Sequence, residues 1–278
     1  MKAEGVLRRL VPRAVRNQLR DPRRTAVQLY NYLTYHFGYR PHFEVRSDWA
    51  FKCHPVCLRV FRPFRNDPAQ KQELDGFIAR CCRSMRFFDI GAHYGFFTLA
   101  ALHFGGAEAR AVVAEPSGKA LGVLRANLKI NRIARRVTIV HAAVGEKDGK
   151  LPMLTTGPQS ADYFVAPCTE RSDVTYVPVK CLDTIVEESG LDPTHIKIDV
   201  EGFEEEVIRG GQSVLSRLRP ILFLELHGRI IRARGRNPET VLDSLEAIGY
   251  QHFEADGRPI ERNGMRSREY NCRLICTT

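Results

Sequence analysis

The chain has 278 residues, which suits one large domain or one domain with an extension and leaves little room for two full domains. Hydrophobic residues make up 44% and charged residues 27%, a globular composition that excludes wholesale disorder. No apolar stretch reaches the roughly 18 residues of a membrane-spanning helix, and residues 1–40 carry +7 of the net charge of +10, with nine basic and two acidic residues.

This N-terminal arm interleaves arginine with apolar residues at near-helical spacing, although Pro12 limits the length of any first helix. Two interpretations stay open. The arm either packs its leucines on the main domain, or it attaches to an anionic membrane surface or an acidic partner. Because more arginines follow Arg8 and Arg9 where a signal peptide has an apolar core, we expect a cytoplasmic protein with peripheral membrane contact as an option.

Eight cysteines are scattered along the chain, and without a secretion signal we expect reduced thiols. Cys53, His54 and Cys57, followed by Cys81 and Cys82, carry the ligand types of zinc, although their spacing matches no common zinc finger. Buried thiols that fill the core are the alternative.

The chain changes character near residue 83. Residues 1–82 predict the basic arm and a helical or irregular extension, with short strands and loops before a helix near residues 68–82. Over residues 83–278, strand-length apolar runs alternate with helix-length amphipathic stretches, which is typical of parallel βαβ units. The predicted strands are Phe87–Ile90, Ala111–Glu115, Val137–His141, His195–Asp199, Pro220–Leu226, Tyr250–Glu254 and Cys272–Cys276, and the predicted helices are Phe96–Phe104, Ser117–Asn131, Phe203–Leu218 and Pro238–Ile248.

An extra piece lies between the third of these strands and His195. Residues 151–155 and the alternating run from Val174 to Val179 predict two strands around the polar loop Thr156–Asp173. Long loops inside compact domains are usually functional. We therefore expect a lid-like insertion at about residues 156–174 on the substrate side.

A glycine-containing turn follows the first strand of the α/β domain. Gly91 and Gly95 permit a tight turn between strand and helix, so a ligand is expected over it. The spacing Gly-x-x-x-Gly is neither the dinucleotide fingerprint nor a phosphate-binding P-loop. The next strand ends at Glu115, 24 residues after Gly91, where an acid accepts hydrogen bonds from ribose hydroxyls. The pair indicates an adenosine cofactor but does not by itself separate a dinucleotide from other adenosine cofactors, and the missing second glycine of the fingerprint weighs against a dinucleotide. A solvated strand-end acid is the alternative for Glu115.

Charged residues alternate with apolar ones where two further strands end. Lys197, Asp199 and Glu201 share one face of the first strand, and Glu225 and His227 share one face of the second. Since open α/β sheets bind ligands at the carboxyl ends of their strands, we expect these side chains to converge on one crevice. Such a cluster can supply a general base or a divalent-ion site. Strand-end caps and salt bridges to Lys197 are the alternative.

The motifs Asp-Ile-Gly-Ala-x-x-Gly-x-x-Thr, Glu-Pro, Ile-Lys-Ile-Asp-Val-Glu-Gly and a strand ending in Glu-x-His follow one another from about Phe87 to His227. In this order the chain resembles the FkbM-type S-adenosylmethionine-dependent methyltransferases. The segment from Lys197 to Gly202 distinguishes this family from methyltransferases in general. One departure is His93, where the family more often has asparagine.

The resemblance implies a class I methyltransferase fold, which is a Rossmann-like, seven-stranded, mostly parallel sheet with helices on both faces. It also implies transfer of a methyl group from S-adenosylmethionine to a hydroxyl of a sugar, glycolipid or natural-product scaffold. The cofactor-binding residues that it implies are Asp89, Gly91, Ala92, His93, Gly95, Thr98, Glu115, Pro116, Ser117, Ala142 and Asp199. The catalytic candidates are Lys197, Asp199, Glu201, Glu225 and His227.

Within that crevice Glu201 or His227 is the candidate general base, since an imidazole has a convenient pKa and like-charged neighbours can raise that of a carboxylate. A magnesium-type ion on Asp199, Glu201 and Glu225 is an alternative way to lower the pKa of the acceptor hydroxyl.

Two other functions stay open. The basic isoelectric point fits an RNA methyltransferase, but the sequence contains no RNA-binding module, so nucleic acid is not the expected partner. A catalytically silent cofactor-binding module is the second, although it has no need for three acids in one crevice. We expect a small-molecule, glycan or lipid-linked acceptor.

Overall fold

A computed structural model of the chain describes residues 34–154 and 174–278. The chain divides into two compact units between Pro63 and Phe64. Residues 1–33 of the predicted basic arm and the loop of the predicted lid-like insertion lie outside the described residues. None of the helices in the described ranges has the length and apolar character needed to cross a membrane.

The first unit contains an antiparallel strand pair, β1 (His42–Arg46) and β2 (Trp49–Lys52). Alternate side chains of both strands are buried, the period-two pattern of a half-buried sheet. The helix α1 (Cys57–Asn66) follows, and the thiols of Cys53 and Cys57 are buried.

The second unit is built on a large mixed sheet and a small one. Its strands are β3 (Arg86–Ile90), β4 (Arg110–Ala114), β5 (Val137–Val140), β6 (Ala143–Val144), β7 (Gly149–Leu154), β8 (Val174–Lys180), β9 (His195–Ile198), β10 (Ile221–His227), β11 (His252–Ala255), β12 (Arg258–Pro259) and β13 (Asn271–Thr277). The large sheet has the order β12-β11-β13-β10-β9-β3-β4-β5, parallel from β10 to β5, with β13 antiparallel to β10. The predicted seven-stranded, mostly parallel sheet is confirmed, and the two-residue β12 adds an eighth strand at the edge.

The first helix of this unit precedes β3, and the others lie between its strands, as the βαβ pattern predicts. They are α2 (Pro68–Ile78), α3 (Phe96–Phe104), α4 (Gly118–Ile130), α5 (Leu182–Ser189), α6 (Glu204–Gly210), α7 (Gln212–Leu218), α8 (Gly228–Ala233), α9 (Glu239–Ala247) and α10 (Arg262–Ser267), with a 3-10 turn at Ala134–Arg136. The single helix predicted from Phe203 to Leu218 is wrong, because the helix breaks at Gly211. A Cβ atom there would lie 2.6 Å from Cδ2 of Leu182, so the glycine allows α5 to pack closely.

The small sheet has the order β6-β8-β7, in which β8 pairs antiparallel with β7 and parallel with β6. Ala143, Met153, Val177 and Val179 form its buried core. The two strands predicted around the polar loop are therefore present.

The large sheet changes its direction of growth between β3 and β9. From β3 the chain adds β4 and β5 on one side, and from β9 it adds β10 on the other. Fully buried residues such as Phe88, Val112 and Ile196 anchor these strands in the core. Open α/β sheets bind ligands at such a switch point, outside the carboxyl ends of the strands.

Candidate active site

The turn after β3 lies against the end of β9. Gly91 has φ +85°, and a Cβ atom on it would lie 1.9 Å from the carbonyl oxygen of Asp199. The backbone N–H groups of Gly91 and Ala92 donate to the carbonyl oxygen of Ala114 at 2.9 and 3.3 Å. The first glycine of the motif is therefore required for backbone contact between the two turns.

His93 adopts the left-handed backbone conformation, with φ +48°. Asparagine and histidine are both enriched in this region among residues other than glycine. The departure from the family pattern thus preserves the backbone conformation of the turn. The imidazole stacks on the ring of Tyr94, with ring centroids 3.8 Å apart.

Glu115 ties the end of β4 to this turn. Its Oε2 accepts the backbone N–H of His93 and its Oε1 accepts that of Ser117, both at 2.8 Å. Each carboxylate oxygen has two acceptor positions, so these bonds leave capacity for ribose hydroxyls. The carboxylate is buried, which distinguishes it from a strand-end acid in solvent.

The remaining residues predicted near the adenosine lie beside Glu115. Ser117 caps α4 by accepting the N–H of Ala120 at 3.3 Å. The carbonyl oxygen of Pro116 lies 3.1 Å from Nε2 of His141, and Ala142 is buried just after β5.

Asp89 and Thr98 lie beneath the glycine turn. Both are buried, and the Thr98 hydroxyl donates to Oδ2 of Asp89 at 2.5 Å. Burial raises the pKa of Asp89 to about 6, against the opposing hydrogen bond from Thr98. Gly95, with φ +81°, begins α3 and completes the turn. The structure thus places Asp89 and Thr98 as supports of the turn, and their contact with the cofactor stays a prediction.

Lys197 is buried at the centre of an ion-pair network. Its Nζ lies 3.0 Å from Oδ2 of Asp199, 3.6 Å from Oε1 of Glu73 and 3.9 Å from Oε2 of Glu225. Arg273 joins the network, 2.8 Å from both Glu73 and Glu225. We refer to these five side chains as the lysine network.

The pKa values in the lysine network follow from burial and these pairings. Burial alone lowers the pKa of Lys197, but Asp199, Glu73 and Glu225 together raise it above its ordinary value. Burial raises the pKa of Asp199, but Lys197 and His227 outweigh burial and the pKa is lowered. Burial raises the pKa of Glu73 to about 7 and also raises that of Glu225. These directions favour the charged forms of Lys197 and Asp199, and the catalytic role of each stays a prediction.

His227 is held by a buried acid. Its Nδ1 bonds Oε1 of Glu204 at 2.8 Å, and Glu204, fully buried, also accepts the backbone N–H of Gly202 at 3.0 Å. Its Nε2 lies 3.9 Å from Asp199 and 3.6 Å from Glu201. The ring thus points its second nitrogen at two carboxylates.

Glu201 is the most exposed acid of the crevice, with 44% of its side chain accessible against 31% for Asp199 and 21% for Glu225. Its φ is +50°, a conformation that costs energy outside glycine and recurs at functional sites. Partial burial raises the pKa of Glu201, with His227 opposing. Next to it Gly202 has φ +93°, and a Cβ atom there would clash with Ile230 at 2.7 Å.

Within the described ranges, Asp199, Glu201 and His227 form the one group of three acids, histidines or cysteines close enough to hold a metal ion, with ligand atoms within 4.8 Å of one another. Glu225, which the sequence analysis grouped with the two acids as ion ligands, lies outside this trio and pairs with Arg273. The described cysteines form no such group, and in the first unit the thiols of Cys53 and Cys57 are buried in the core.

His227 gives the stability of the fold a pH dependence. Burial lowers its pKa, but Glu204, Asp199 and Glu201 outweigh burial and raise it from 6.5 to about 9. The pKa of His227 is higher in the folded state than in the unfolded state. The imidazolium therefore makes its full contribution to the stability of the folded state below about pH 6.5, and this contribution is lost as pH rises through about 9. We expect the free energy of unfolding to fall by on the order of 1–3 kcal/mol between these values, and to fall less in His227→Gln. Urea denaturation at both pH values measures this, and equal falls in the two proteins would contradict it.

Four residues that the sequence analysis did not select support the site. Glu73, Arg273 and Glu204 fix the charged side chains, and Asn127 of α4 donates from Nδ2 to the carbonyl oxygen of Tyr94 at 2.9 Å. Arg273 lies directly opposite Glu225 in the antiparallel pair of β10 and β13. This register could have identified Arg273 from the sequence, because both strands were predicted. The sequence offered no comparable signal for the other three residues.

Comparison with known proteins gives a family match. A model of the methyltransferase FkbM domain matches residues 89–252, more than half of the chain. No curated protein matches significantly.

Three solved structures are similar to this chain at low identity. The methyltransferase FkbM from Methylobacillus flagellatus KT is 16% identical, with a TM-score of 0.47, over 80% of this chain and 60% of that chain. The precorrin-6y C5,15-methyltransferase from Geobacter metallireducens GS-15 is 18% identical over 73% and 85%, with a TM-score of 0.41. The O-methyltransferase from Bacillus cereus, in complex with SAH, is 13% identical over 76% and 81%, with a TM-score of 0.43. The assignment of the chain to a family therefore rests on the match to the FkbM domain and not on these structures.

Proposed function

The chain belongs to the FkbM family of S-adenosylmethionine-dependent methyltransferases, and we propose that it is an O-methyltransferase that methylates a hydroxyl of a sugar, glycolipid or natural-product scaffold. The observation that carries this proposal is Glu201, a partly exposed carboxylate with a raised pKa at the carboxyl end of β9. A hydroxyl acceptor must lose a proton during transfer, and this group is placed to take it.

The residues of the crevice fit S-adenosylmethionine in charge and in hydrogen-bonding capacity. When bound, the cofactor supplies an activated methyl group on a positively charged sulfur. Among the side chains described around Lys197 and His227, acids outnumber cations, which complements a cation bound there. Glu115 has acceptor capacity left beside its two backbone bonds at the end of β4, and we assign the ribose hydroxyls to it as part of this proposal.

Glu201 is the group best suited to act as base. Three carboxylates hold His227 as the imidazolium, so it has no lone pair to offer near neutral pH. Asp199 pairs with Lys197 and Glu225 with Arg273. In the transfer the acceptor oxygen bonds the methyl carbon as the carbon–sulfur bond breaks, the electron pair of that bond stays on sulfur, and Glu201 takes the hydroxyl proton.

Titration with S-adenosylhomocysteine tests the cofactor assignment. We expect micromolar binding by the wild type and about 100-fold weaker binding, near 2.7 kcal/mol, by Glu115→Ala. The variant loses the proposed ribose acceptor and releases the backbone N–H groups of His93 and Ser117. Isothermal titration calorimetry measures both affinities, with the exposed Glu146→Ala as the matched control.

No binding by folded wild-type protein would overturn the proposed function. Equal binding by wild type and Glu115→Ala would leave the cofactor in place and remove Glu115 from the ribose site. An analogue without the 2′-hydroxyl separates the two roles of Glu115, because the variant should lose less affinity for it than for S-adenosylhomocysteine.

A further inference from the structure

The carboxylate of Glu201 receives no hydrogen bond from the residues that the structure describes. Its Oε2 lies 3.6 Å from Nε2 of His227, which is longer than a hydrogen bond, and 44% of the side chain is accessible. Asp199, by contrast, accepts a hydrogen bond from Lys197 at 3.0 Å. The position of the Glu201 carboxylate therefore depends on the backbone of its own turn, where φ is +50°.

Both backbone polar groups of Gly202, the next residue of this turn, are bonded to side chains. The N–H group donates to Oε1 of Glu204 at 3.0 Å, and the carbonyl oxygen accepts a hydrogen bond from Nη1 of Arg234. Glu204 begins α6 directly after the turn, whereas Arg234 follows the last residue of α8 and is 32 residues away along the chain. Ile230 of α8 packs against the same glycine. The end of α8 therefore holds the turn from outside it.

The guanidinium group of Arg234 is fixed by two further contacts. Its Cζ lies 3.5 Å from the centroid of the Phe203 ring, and its Nη2 lies 2.6 Å from Oε1 of Glu206. A planar guanidinium can stack on a ring, pair with a carboxylate and donate to a carbonyl oxygen at the same time, which the ammonium group of a lysine cannot. Only 25% of the side chain is accessible. Arg234 is therefore a fixed part of the turn and not a solvated surface arginine.

Arg236 shares the acid partner of Arg234 but does not hold the turn. Its Nη2 lies 3.5 Å from the same oxygen of Glu206, and its Nη1 lies 3.3 Å from Oε2 of Glu205. Within the part of the chain that the structure describes, no hydrogen bond joins it to Gly202. Glu206 therefore keeps a cationic partner when either arginine is replaced, and neither replacement leaves this acid unpaired.

We propose that Arg234 is a positioning residue for methyl transfer: it holds the turn that carries Glu201 and thereby keeps the carboxylate where it takes the proton of the acceptor. The inference rests on the proposed function, which makes Glu201 the base, and it adds a residue that lies outside the motifs. A base must lie within hydrogen-bond reach of the hydroxyl, and a displacement of about 1 Å costs on the order of 10²-fold in rate.

Arg234→Met should lower kcat by about 10- to 100-fold, with less than about twofold change in KM for the acceptor and in the affinity for S-adenosylhomocysteine. Methionine keeps an apolar contact with Phe203 but cannot donate to the carbonyl oxygen of Gly202. Arg236→Met is the matched control, and its kcat should stay within about twofold of the wild type. Arg234→Lys keeps a donor and loses the stacking plane, so its kcat should lie between those of the wild type and Arg234→Met.

Two measurements distinguish positioning of the base from a general effect on the fold. The first is transfer of tritiated methyl to p-nitrophenyl glycosides, a catechol and a hydroxy fatty acid, with kcat taken on the acceptor that the wild type methylates fastest. Arg234→Met should lower kcat of Glu201→Gln by less than about twofold, because the base is already absent. The second is hydrogen exchange of the peptide that contains Gly202, measured by mass spectrometry without an acceptor. This peptide should exchange faster in Arg234→Met than in the wild type and in Arg236→Met.

Each contrary outcome overturns a distinct statement. A wild-type kcat or an unchanged exchange rate in Arg234→Met would remove Arg234 as a positioning residue and keep the proposed function. Equal fold losses in the wild-type and Glu201→Gln backgrounds would mean that the arginine acts on the fold and not through Glu201. Absence of S-adenosylhomocysteine binding, or of methyl transfer by the wild type to any of the acceptors, would overturn the proposed function on which the inference rests.

Discussion

Glu201→Gln is expected to lower kcat by about 10²- to 10⁴-fold, with less than about twofold change in the affinity for S-adenosylhomocysteine. Glutamine keeps the size of the side chain and loses the ability to take a proton. Because the exposed carboxylate belongs to a turn held by Gly202 and Glu204, the substitution leaves the backbone supports of the site in place. The assay measures methyl transfer to an acceptor that the wild type methylates. With saturating cofactor it gives kcat for the wild type and for the variant.

Two further measurements identify the role of Glu201. A general base acts in its ionised form, so kcat of the wild type should rise with pH through the raised pKa of Glu201, and the variant should lack this rise. Glu187 is an exposed acid of α5, so Glu187→Gln is the matched control. Its kcat and the pH dependence of its kcat should equal those of the wild type. A kcat for Glu201→Gln within tenfold of the wild type would contradict the assignment.

Chelation distinguishes the general-base mechanism from metal assistance. If Glu201 alone removes the proton, activity should survive treatment with EDTA. If a divalent ion on Asp199, Glu201 and His227 lowers the pKa of the acceptor hydroxyl, EDTA should abolish the activity and Mg²⁺ or Mn²⁺ should restore it. In that case Glu201→Gln should also weaken metal binding, which a titration of the metal alone measures.

The order of the elements and the location of the crevice could be predicted because each depends on local pattern. Strand-length apolar runs identified β3, β4, β9 and β10, and charged residues at their ends identified Glu115, Asp199 and Glu201. Parallel strands bring their carboxyl ends to one edge, so the convergence of these residues followed from the fold class.

The supporting residues could not be predicted because they depend on contacts between distant elements. Glu73 reaches Lys197 from α2, which precedes the α/β pattern by sequence and carries no motif. The orientation of His227 depends on Glu204, one of three consecutive acids at the start of α6 that the sequence does not distinguish. Of the two candidate bases, Glu201 is the one we propose, because three neighbouring carboxylates raise the pKa of His227 to about 9, which its ordinary value did not indicate.

Gly91→Ala should give the largest loss of stability among single substitutions in the glycine turn. The new Cβ atom would lie 1.9 Å from the carbonyl oxygen of Asp199, and the backbone would hold alanine at φ +85°. Neither the carbonyl group nor the turn can move without separating β3 from β9. We expect the free energy of unfolding to fall by about 4 kcal/mol or more, with loss of S-adenosylhomocysteine binding.

Two matched glycines separate the clash from the general effect of adding a methyl group. Gly95→Ala has a similar φ of +81°, but its Cβ atom would meet a movable leucine side chain at 3.3 Å, so we expect a loss of about 1–2 kcal/mol. Gly122→Ala adds a methyl group in α4 with no atom within 4 Å and should stabilise by about 0.5–1 kcal/mol. Urea denaturation of the three variants measures the free energy of unfolding of each and so gives the order of their losses. If Gly91→Ala unfolded at the same urea concentration as Gly95→Ala, backbone contact between the two turns would not be what requires glycine at position 91.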